Sequence, residues 1–215
     1  MRKLSLIAAL LLSHAAFAQG IEGLGRISLG GGYRWVPNWW LTDKAAAAGT
    51  PVIPGISGGP QLNAGFGFGV SSFLELSIDL LGSYETFGLQ LPDGQVDDIT
   101  SAMYGAALGG RIMGNNVGFK GFMPYLQLQA GPLLSNVSSK AYPTTERVLL
   151  AFHASGGATY RFADRYGITL DVRYVMARGA LSGLSGINVG GVCFSAMFTI
   201  FFPPAPKRDL DVPGF

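Results

Sequence analysis

The sequence predicts an all-β protein, an eight-stranded antiparallel up-and-down transmembrane β-barrel, and three observations support this prediction. Apolar and polar residues alternate along eight segments of about ten residues each. The links between these segments are alternately long and short, so the sheet has two unlike ends. Charged residues make up only 13% of the 215 residues, about half the fraction usual in a soluble domain.

The first eighteen residues have the pattern of a secretory signal peptide. Arg2 and Lys3 supply the positive start, an apolar stretch follows, and Ala16-Phe17-Ala18 is a small-x-small cleavage site. Loss of Arg2 and Lys3 lowers the 15 basic residues to 13, equal to the 13 acidic residues, so the mature chain is formally neutral. We therefore expect three parts: a signal peptide (1–18), an outer-membrane barrel (19–202) and a Pro-rich periplasmic tail (203–215).

Each of the eight segments has one apolar face and one face of polar residues and glycine. Because neighbours along a strand point to opposite sides, the apolar face is the one expected to contact lipid. The first four segments are 26–35, 61–70, 73–84 and 101–113, with apolar faces that carry, in order, Ile27, Leu29, Tyr33 and Trp35, then Leu62, Ala64, Phe66 and Phe68, then Leu74, Leu76, Ile78 and Leu80, then Ala102, Tyr104, Ala106 and Leu108. The last four segments are 122–134, 148–162, 168–176 and 188–202, with Leu126, Leu128 and Ala130, then Leu150, Phe152 and Ala154, then Ile168, Leu170 and Val172, then Val192, Phe194, Ala196 and Phe198.

The lengths of the links distinguish a barrel from a soluble β-sandwich, which would also alternate. Short turns at one end and longer loops at the other are typical of an outer-membrane barrel with both termini on the periplasmic side. The predicted long links are 36–60, 85–100, 135–147 and 177–187, and the short ones are 71–72, 114–121 and 163–167.

Aromatic residues fall near both ends of the predicted strands, as in the two girdles at the interfaces of a bilayer. The long-loop girdle is expected to contain Tyr33, Trp35, Trp39, Trp40, Tyr84, Phe87 and Tyr174. The short-turn girdle is expected to contain Phe73, Phe119, Phe122, Phe162, Tyr166 and Phe202.

The alternation also predicts which charged side chains point into the barrel. An eight-stranded barrel is filled by its own side chains, so we expect a polar network rather than an open aqueous pore. Charges at membrane depth require opposite neighbours, and Glu75 and Arg111 on adjacent strands are the predicted pair. A gate or ligand site is the functional alternative to a structural network. The predicted network consists of Glu75, Asp79, Arg111, Asp171 and Arg173.

Several function classes are not supported by the composition. A neutral chain lacks the basic footprint of a nucleic-acid binder. His14 leaves with the signal peptide, so His153 is the remaining histidine and no cluster has metal-ligand spacing. Cys193 is the single cysteine and is expected to be a small side chain inside the lumen. We therefore predict no metal and no cofactor.

The stretch 151–175, AFHASGGATYRFADRYGITLDVRYV, resembles the penultimate hairpin of small bacterial outer-membrane β-barrel proteins of the OmpW and OmpA-like superfamily. The "Pro-Tyr" start at Pro124-Tyr125 and the string Gly31-Gly32-Tyr33-Arg34 also resemble strands of that family. The resemblance implies an eight-stranded barrel in the Gram-negative envelope, in contact with outer-membrane lipid and inserted by the barrel-assembly machinery. It further implies a structural role or a narrow passive passage for small hydrophobic compounds. The chain departs from the family in lacking a peptidoglycan-binding domain and in continuing beyond strand eight.

Two alternatives remain from the sequence. The string Phe152-His153-Ala154-Ser155 matches the His-x-Ser pair of small outer-membrane lipid A deacylases, but Gly156 replaces the following Asn and the orienting acid is missing. Parity also turns His153 and Ser155 inward, so we expect no enzyme. A soluble exported lipid-binding barrel is the second alternative, and the long first link could gather ligands or mediate adhesion.

Overall fold

The computed structural model describes residues 20–36, 58–90, 93–138, 140, 144–181 and 184–202. The predicted signal peptide, the predicted tail and most of the first long link, with Trp39 and Trp40, lie outside these residues. No helix in the described part of the chain is long and apolar enough to cross a bilayer. The described strands are β1 (Gly25–Trp35), β2 (Gly58–Gly69), β3 (Leu74–Gln90), β4 (Val96–Met113), β5 (Phe122–Ser138), β6 (Thr145–Arg161), β7 (Tyr166–Leu181), β8 (Leu184–Asn188) and β9 (Gly191–Phe202).

Eight of these strands close an antiparallel barrel, which confirms the predicted fold class. Strands β1 to β7 follow one another around the wall, and β9 pairs with both β7 and β1. The row of paired residues that starts at Arg26 passes through Gly67, Ser77, Gly109, Gln129, His153, Val175 and Gly191. Because Trp35 pairs with Val192, this row returns to β1 at Val36, ten residues beyond Arg26 (36 − 26 = 10). A stagger of this size tilts the strands by roughly 40° to the barrel axis.

At the long-loop end of the barrel, several strands extend further than the alternation predicted. The predicted links 85–100 and 135–147 were wrong, because β3 and β4 stay paired to Gln90 and Val96, and β5 and β6 to Val137 and Thr145. The predicted link 177–187 was also wrong, since β7 continues to Leu181 and pairs with the short β8. Outward residues in these extensions, such as Thr86 and Asp98, are polar, so the ladder continues where the lipid-facing pattern has ended.

Along the eight predicted segments, the outward face of the barrel is mostly apolar and exposed, whereas the inward face is mostly buried. Leu62 is 71% exposed and its neighbour Asn63 is 4% exposed, and Leu128 and Gln129 differ in the same way at 71% and 6%. This is the reverse of a soluble lipid-binding barrel, which keeps its apolar side chains inside. The described girdle residues Tyr33, Trp35, Tyr84, Tyr174, Phe73, Phe119, Phe162, Tyr166 and Phe202 are exposed, Phe122 is half-buried, and the side chain of Phe87 lies outside the description.

Candidate functional site

The lumen of the barrel is built in three layers along its axis. An apolar layer closes the short-turn end, and it consists of Ile21, Leu24, Met113, Met123, Tyr125 and Phe201. The middle layer is polar and charged. A second group of apolar side chains fills the long-loop half, and we call it the apolar cluster: Leu81, Met103, Leu133, Ala151, Val175, Ala177, Val189 and Cys193.

The layer at the short-turn end includes the segment that precedes β1. Backbone hydrogen bonds from Ile21 N to Ser72 O and from Gly23 N to Gly69 O fold this segment under the barrel. Ile21 is 1% exposed, so its side chain is enclosed by the layer. The segment 20–24 shows no strand alternation, so its sequence predicts no role for it. It forms the floor of the lumen.

All five predicted network residues point into the middle layer, and each is at most 4% exposed. The predicted pair lies close together, with Arg111 Nε 3.6 Å from Glu75 Oε1. The stronger partner of Glu75 is Arg26, the first residue of segment 26–35, which is not a member of the predicted network. Arg26 donates from Nη2 to Glu75 Oε1 at 2.8 Å and from Nε to Glu75 Oε2 at 3.1 Å.

Arg173 holds the other two carboxylates of the layer. Its Nη2 lies 2.6 Å from Asp79 Oδ2, and its Nε lies 3.3 Å from Asp171 Oδ1. Tyr125 donates its hydroxyl to Asp171 at 2.6 Å, and Gln127 donates to Asp79 at 3.1 Å. Three arginines (Arg26, Arg111, Arg173) therefore face three carboxylates (Glu75, Asp79, Asp171), and the layer is neutral.

Hydroxyl groups complete the ring on the side away from β3. Ser28 and Thr199 lie 3.0 Å apart, Thr199 and Thr169 2.8 Å, and Thr169 and Thr159 2.7 Å, measured between side-chain oxygens. Arg26 Nη1 donates to Ser28 at 2.5 Å, which joins this row to the charged groups. The middle layer thus ties strands on opposite sides of the lumen together.

Glycines of β2 make room for the charged groups. A Cβ on Gly67 would lie 2.4 Å from the Glu75 carboxylate, and a Cβ on Gly65 would lie 2.6 Å from Asp79 Oδ1. Gly59 lies between Arg34 on β1 and Glu85 on β3, so that their side chains meet across it at 2.6 Å. The inward glycines of β2 therefore let cations on β1 reach carboxylates on β3.

His153 and Ser155 both point into the lumen rather than toward the lipid. They are 4% and 8% exposed, and the Ser155 hydroxyl donates to Gln127 Oε1 at 3.3 Å. Cys193 is buried in the lumen on β9, between the partner positions Arg34 and Arg173. Within the described residues, no three His, Cys, Asp or Glu side chains are grouped so that they could hold a metal ion.

One place in the barrel wall lacks regular pairing between its strands. β4 and β5 pair up to Gly105 with Leu133 and again from Leu108 with Ala130, in one unbroken register. Ala106, Ala107, Gly131 and Pro132 lie between these pairs and are not paired across this ladder. Pro132 has no N–H to donate and is exposed on the outer face. Small side chains form the wall here, beside the boundary between the polar layer and the apolar cluster.

Solved structures with the same architecture identify the fold. OprG from Pseudomonas aeruginosa superimposes with a TM-score of 0.55 at 13% identity, over 86% of this chain and 98% of that one. The chain has the fold of the small outer-membrane β-barrels. Neisserial surface protein A matches with a TM-score of 0.53 at 12% identity, covering 84% and 98% of the two chains. Ail of Yersinia pestis, in complex with the heparin analogue sucrose octasulfate, matches with a TM-score of 0.50 at 14% identity, covering 84% and 99%.

No protein-family model and no curated protein sequence matches the chain. The likeness to these small outer-membrane barrels is therefore one of fold. The closed eight-stranded barrel agrees with the architecture that the resemblance to small outer-membrane barrels implied.

Proposed function

We propose that this protein is an integral protein of the outer membrane, exported by the signal peptide 1–18 and inserted by the barrel-assembly machinery. The exposed apolar wall supports this proposal, because a continuous apolar surface of this extent requires lipid. Envelope fractionation with heat-modifiable gel mobility tests it, and mass spectrometry of the purified chain tests cleavage after Ala18. A mature chain that stays folded and monomeric without detergent would contradict the proposal.

Within the membrane, we propose a non-enzymatic passage for small hydrophobic compounds that uses only the long-loop half of the lumen. The carrying observation is that the charged middle layer fills the lumen, while the apolar cluster lies directly beyond it. For an apolar compound in the cluster, crossing the charged layer would cost much free energy, because its entry would break buried ion pairs. The unpaired stretch between β4 and β5 lies beside the cluster and supplies a route toward the lipid.

The two prolines on the outer face of β5 allow a matched test of this route. Pro132→Val supplies an N–H and a branched side chain at the stretch where β5 is not paired with β4. Pro124→Val makes the same change at the other end of β5, where the Pro124 carbonyl accepts from Gly114 N at 2.9 Å. We expect Pro132→Val to slow uptake of N-phenylnaphthylamine by cells several-fold and Pro124→Val to leave it unchanged at equal protein levels. Planar bilayers should show no stable open pore. If uptake is the same with and without the protein, the proposed passage is rejected and a structural role is the function that remains.

A further inference from the structure

The long-loop half of the lumen carries a polar group beside its apolar cluster. We call Arg34, Gln61, Ser83 and Glu85 the polar patch. Gln61 and Ser83 are partners on β2 and β3, and Arg34 reaches Glu85 across Gly59 at 2.6 Å. All four side chains lie on the inward face and are at most 6% exposed. The patch therefore occupies the β1–β3 side of this half of the lumen.

The polar patch and the apolar cluster are direct neighbours. Ser83 is the partner of Met103, and Leu81 lies two residues before Ser83 on the same face of β3. Arg34 is the partner of Cys193, and its Nη1 donates to Val189 O at 3.2 Å. One compartment is thus bounded by the apolar cluster and, on the β1–β3 side, by the polar patch. The buried side chains of Ser101 on β4 and Ser135 on β5 add two hydroxyl groups to the same half of the lumen.

Each member of the polar patch has an atom that is buried without a hydrogen-bond partner. These atoms are Arg34 Nε, Gln61 Oε1, Ser83 Oγ and Glu85 Oε2. The Gln61 side chain is nevertheless held in place, because its Nε2 donates to Asn63 Oδ1 at 2.8 Å and to Ser195 Oγ at 3.2 Å. Buried polar atoms in native proteins nearly always have partners. Other exceptions among the described residues lie on Arg111, Gln129, His153 and Arg173. The four atoms of the patch differ from these because they lie beside the apolar cluster, where a group from outside the chain can pair with them.

The chemistry of the four atoms restricts what can satisfy them. Arg34 Nε–H is a donor, Gln61 Oε1 and Glu85 Oε2 are acceptors, and the Ser83 hydroxyl is both. The ion pair of Arg34 with Glu85 leaves the patch neutral. A carboxylate could accept from Arg34 and Ser83, but it would add a second negative charge beside Glu85 and leave Gln61 Oε1 and Glu85 Oε2 without donors. An alkane would leave all four atoms without partners. An uncharged group that both donates and accepts, such as a hydroxyl, fits the arrangement.

We propose that this compartment binds uncharged amphipathic compounds, with an aliphatic tail in the apolar cluster and a hydroxyl group at the polar patch. The inference rests on the proposed passage and narrows it to a substrate class. The flexible side chain of Met103, which is 0% exposed, must move aside when a tail enters. Selection among compounds with the same aliphatic tail then depends on hydrogen bonds to the polar patch and not on how the tail packs in the apolar cluster.

Three probes of equal chain length test the proposal: 1-octanol, octanoate and n-octane. The protein in lipid nanodiscs, labelled at Met methyls and Gln side-chain amides, is titrated with each probe, and affinity is expressed per mole fraction in the bilayer. We expect 1-octanol to shift the Met103 methyl and the Gln61 amide at a concentration at least fivefold lower than octanoate or n-octane. Equal responses, or a preference for octanoate, would overturn the inference and leave the passage intact. No response of Met103 to any probe would reject the passage itself.

A matched pair of serine variants assigns the preference to the patch. Ser83→Ala removes a patch hydroxyl, and Ser135→Ala makes the same change at the partner of Met103 on β5, where the buried hydroxyl is not among the unpartnered atoms. We expect Ser83→Ala to weaken 1-octanol binding about fivefold without changing n-octane binding. Ser135→Ala should retain the wild-type preference. Equal loss in both variants would contradict an assignment to the polar patch.

Discussion

Replacing Gly67 by alanine should destabilise the barrel, although the substitution adds only one methyl group. The new Cβ would lie 2.4 Å from both Cδ and Oε1 of Glu75, well inside the closest approach of real side chains. Gly67 is paired with Arg26 on one side and Ser77 on the other, so its backbone cannot withdraw. The Glu75 carboxylate must therefore move, and it loses its two hydrogen bonds from Arg26 at 2.8 and 3.1 Å.

The expected magnitude follows from the burial of this pair. Removing one partner of a buried ion pair costs about 3–5 kcal/mol, and a displaced carboxylate that keeps some contact with Arg111 should cost somewhat less, about 3 kcal/mol. A glycine-to-alanine change at an unstrained position would instead stabilise the protein by about 0.4–1 kcal/mol, through the unfolded chain. The two mechanisms predict opposite signs, so the experiment discriminates between them.

Urea unfolding in phospholipid vesicles, followed by tryptophan fluorescence, measures the free energy of unfolding. Gly82→Ala is the matched control, because its Cβ would face outward and meet only Tyr104 Cδ1 at 3.8 Å. In a Glu75→Ala background, Gly67→Ala should lose its cost, since the carboxylate is gone. If Gly67→Ala and Gly82→Ala have equal free energies of unfolding, the inward glycines of β2 are not needed to make room for the carboxylates, and the reasoning is refuted.

Three further predictions use the same unfolding measurement. Arg26→Ala should lower the free energy of unfolding more than Arg111→Ala, by at least about 1 kcal/mol, because Arg26 makes both hydrogen bonds to Glu75; equal losses would show that the two arginines share the carboxylate evenly. Thr169→Val should cost about 1–3 kcal/mol by breaking the hydroxyl row in its centre, and a neutral result would mean that the row contributes nothing. Ile21→Asp should cost about 3 kcal/mol or more because it puts a charge into the apolar floor, and unchanged stability would show that the floor is not packed.

The alternation revealed the two faces of each strand because the outer surface is apolar and much of the inside is polar. Leu128 and Gln129 are neighbours in sequence, yet Leu128 is exposed on the outer surface and Gln129 donates to Ser77 inside the lumen. The alternation places Glu75 and Arg111 on the inward faces of adjacent strands, and this was enough to predict their contact. In the structure Arg111 Nε lies 3.6 Å from Glu75 Oε1. The extensions of the paired strands on the long-loop side could not be found in this way, since outward residues such as Thr86 and Asp98 are polar.

The principal partner of Glu75 could not be predicted, because Arg26 lies on a strand that does not touch β3. Their contact depends on the stagger between β1, β2 and β3 and on an intervening glycine, and neither is visible as a pattern in one sequence. Arg34 and Glu85 escaped detection for the same reason, and Glu85 also fell within a predicted loop. Ile21 is not part of an alternating apolar pattern, so its position in the floor of the lumen could be seen only in the structure of the closed barrel.

The contacts of the middle layer join residues that are far apart along the chain. Arg26 and Glu75 are separated by 49 residues, Asp79 and Arg173 by 94, and Ser28 and Thr199 by 171. An incomplete, open sheet would therefore present bare arginines and carboxylates on its concave side, and hydrocarbon would reject them. For the barrel proposed to lie in the outer membrane, we therefore expect entry into the bilayer and pairing of β1 with β9 to take place together, with the arginines in water until their counter-charges arrive.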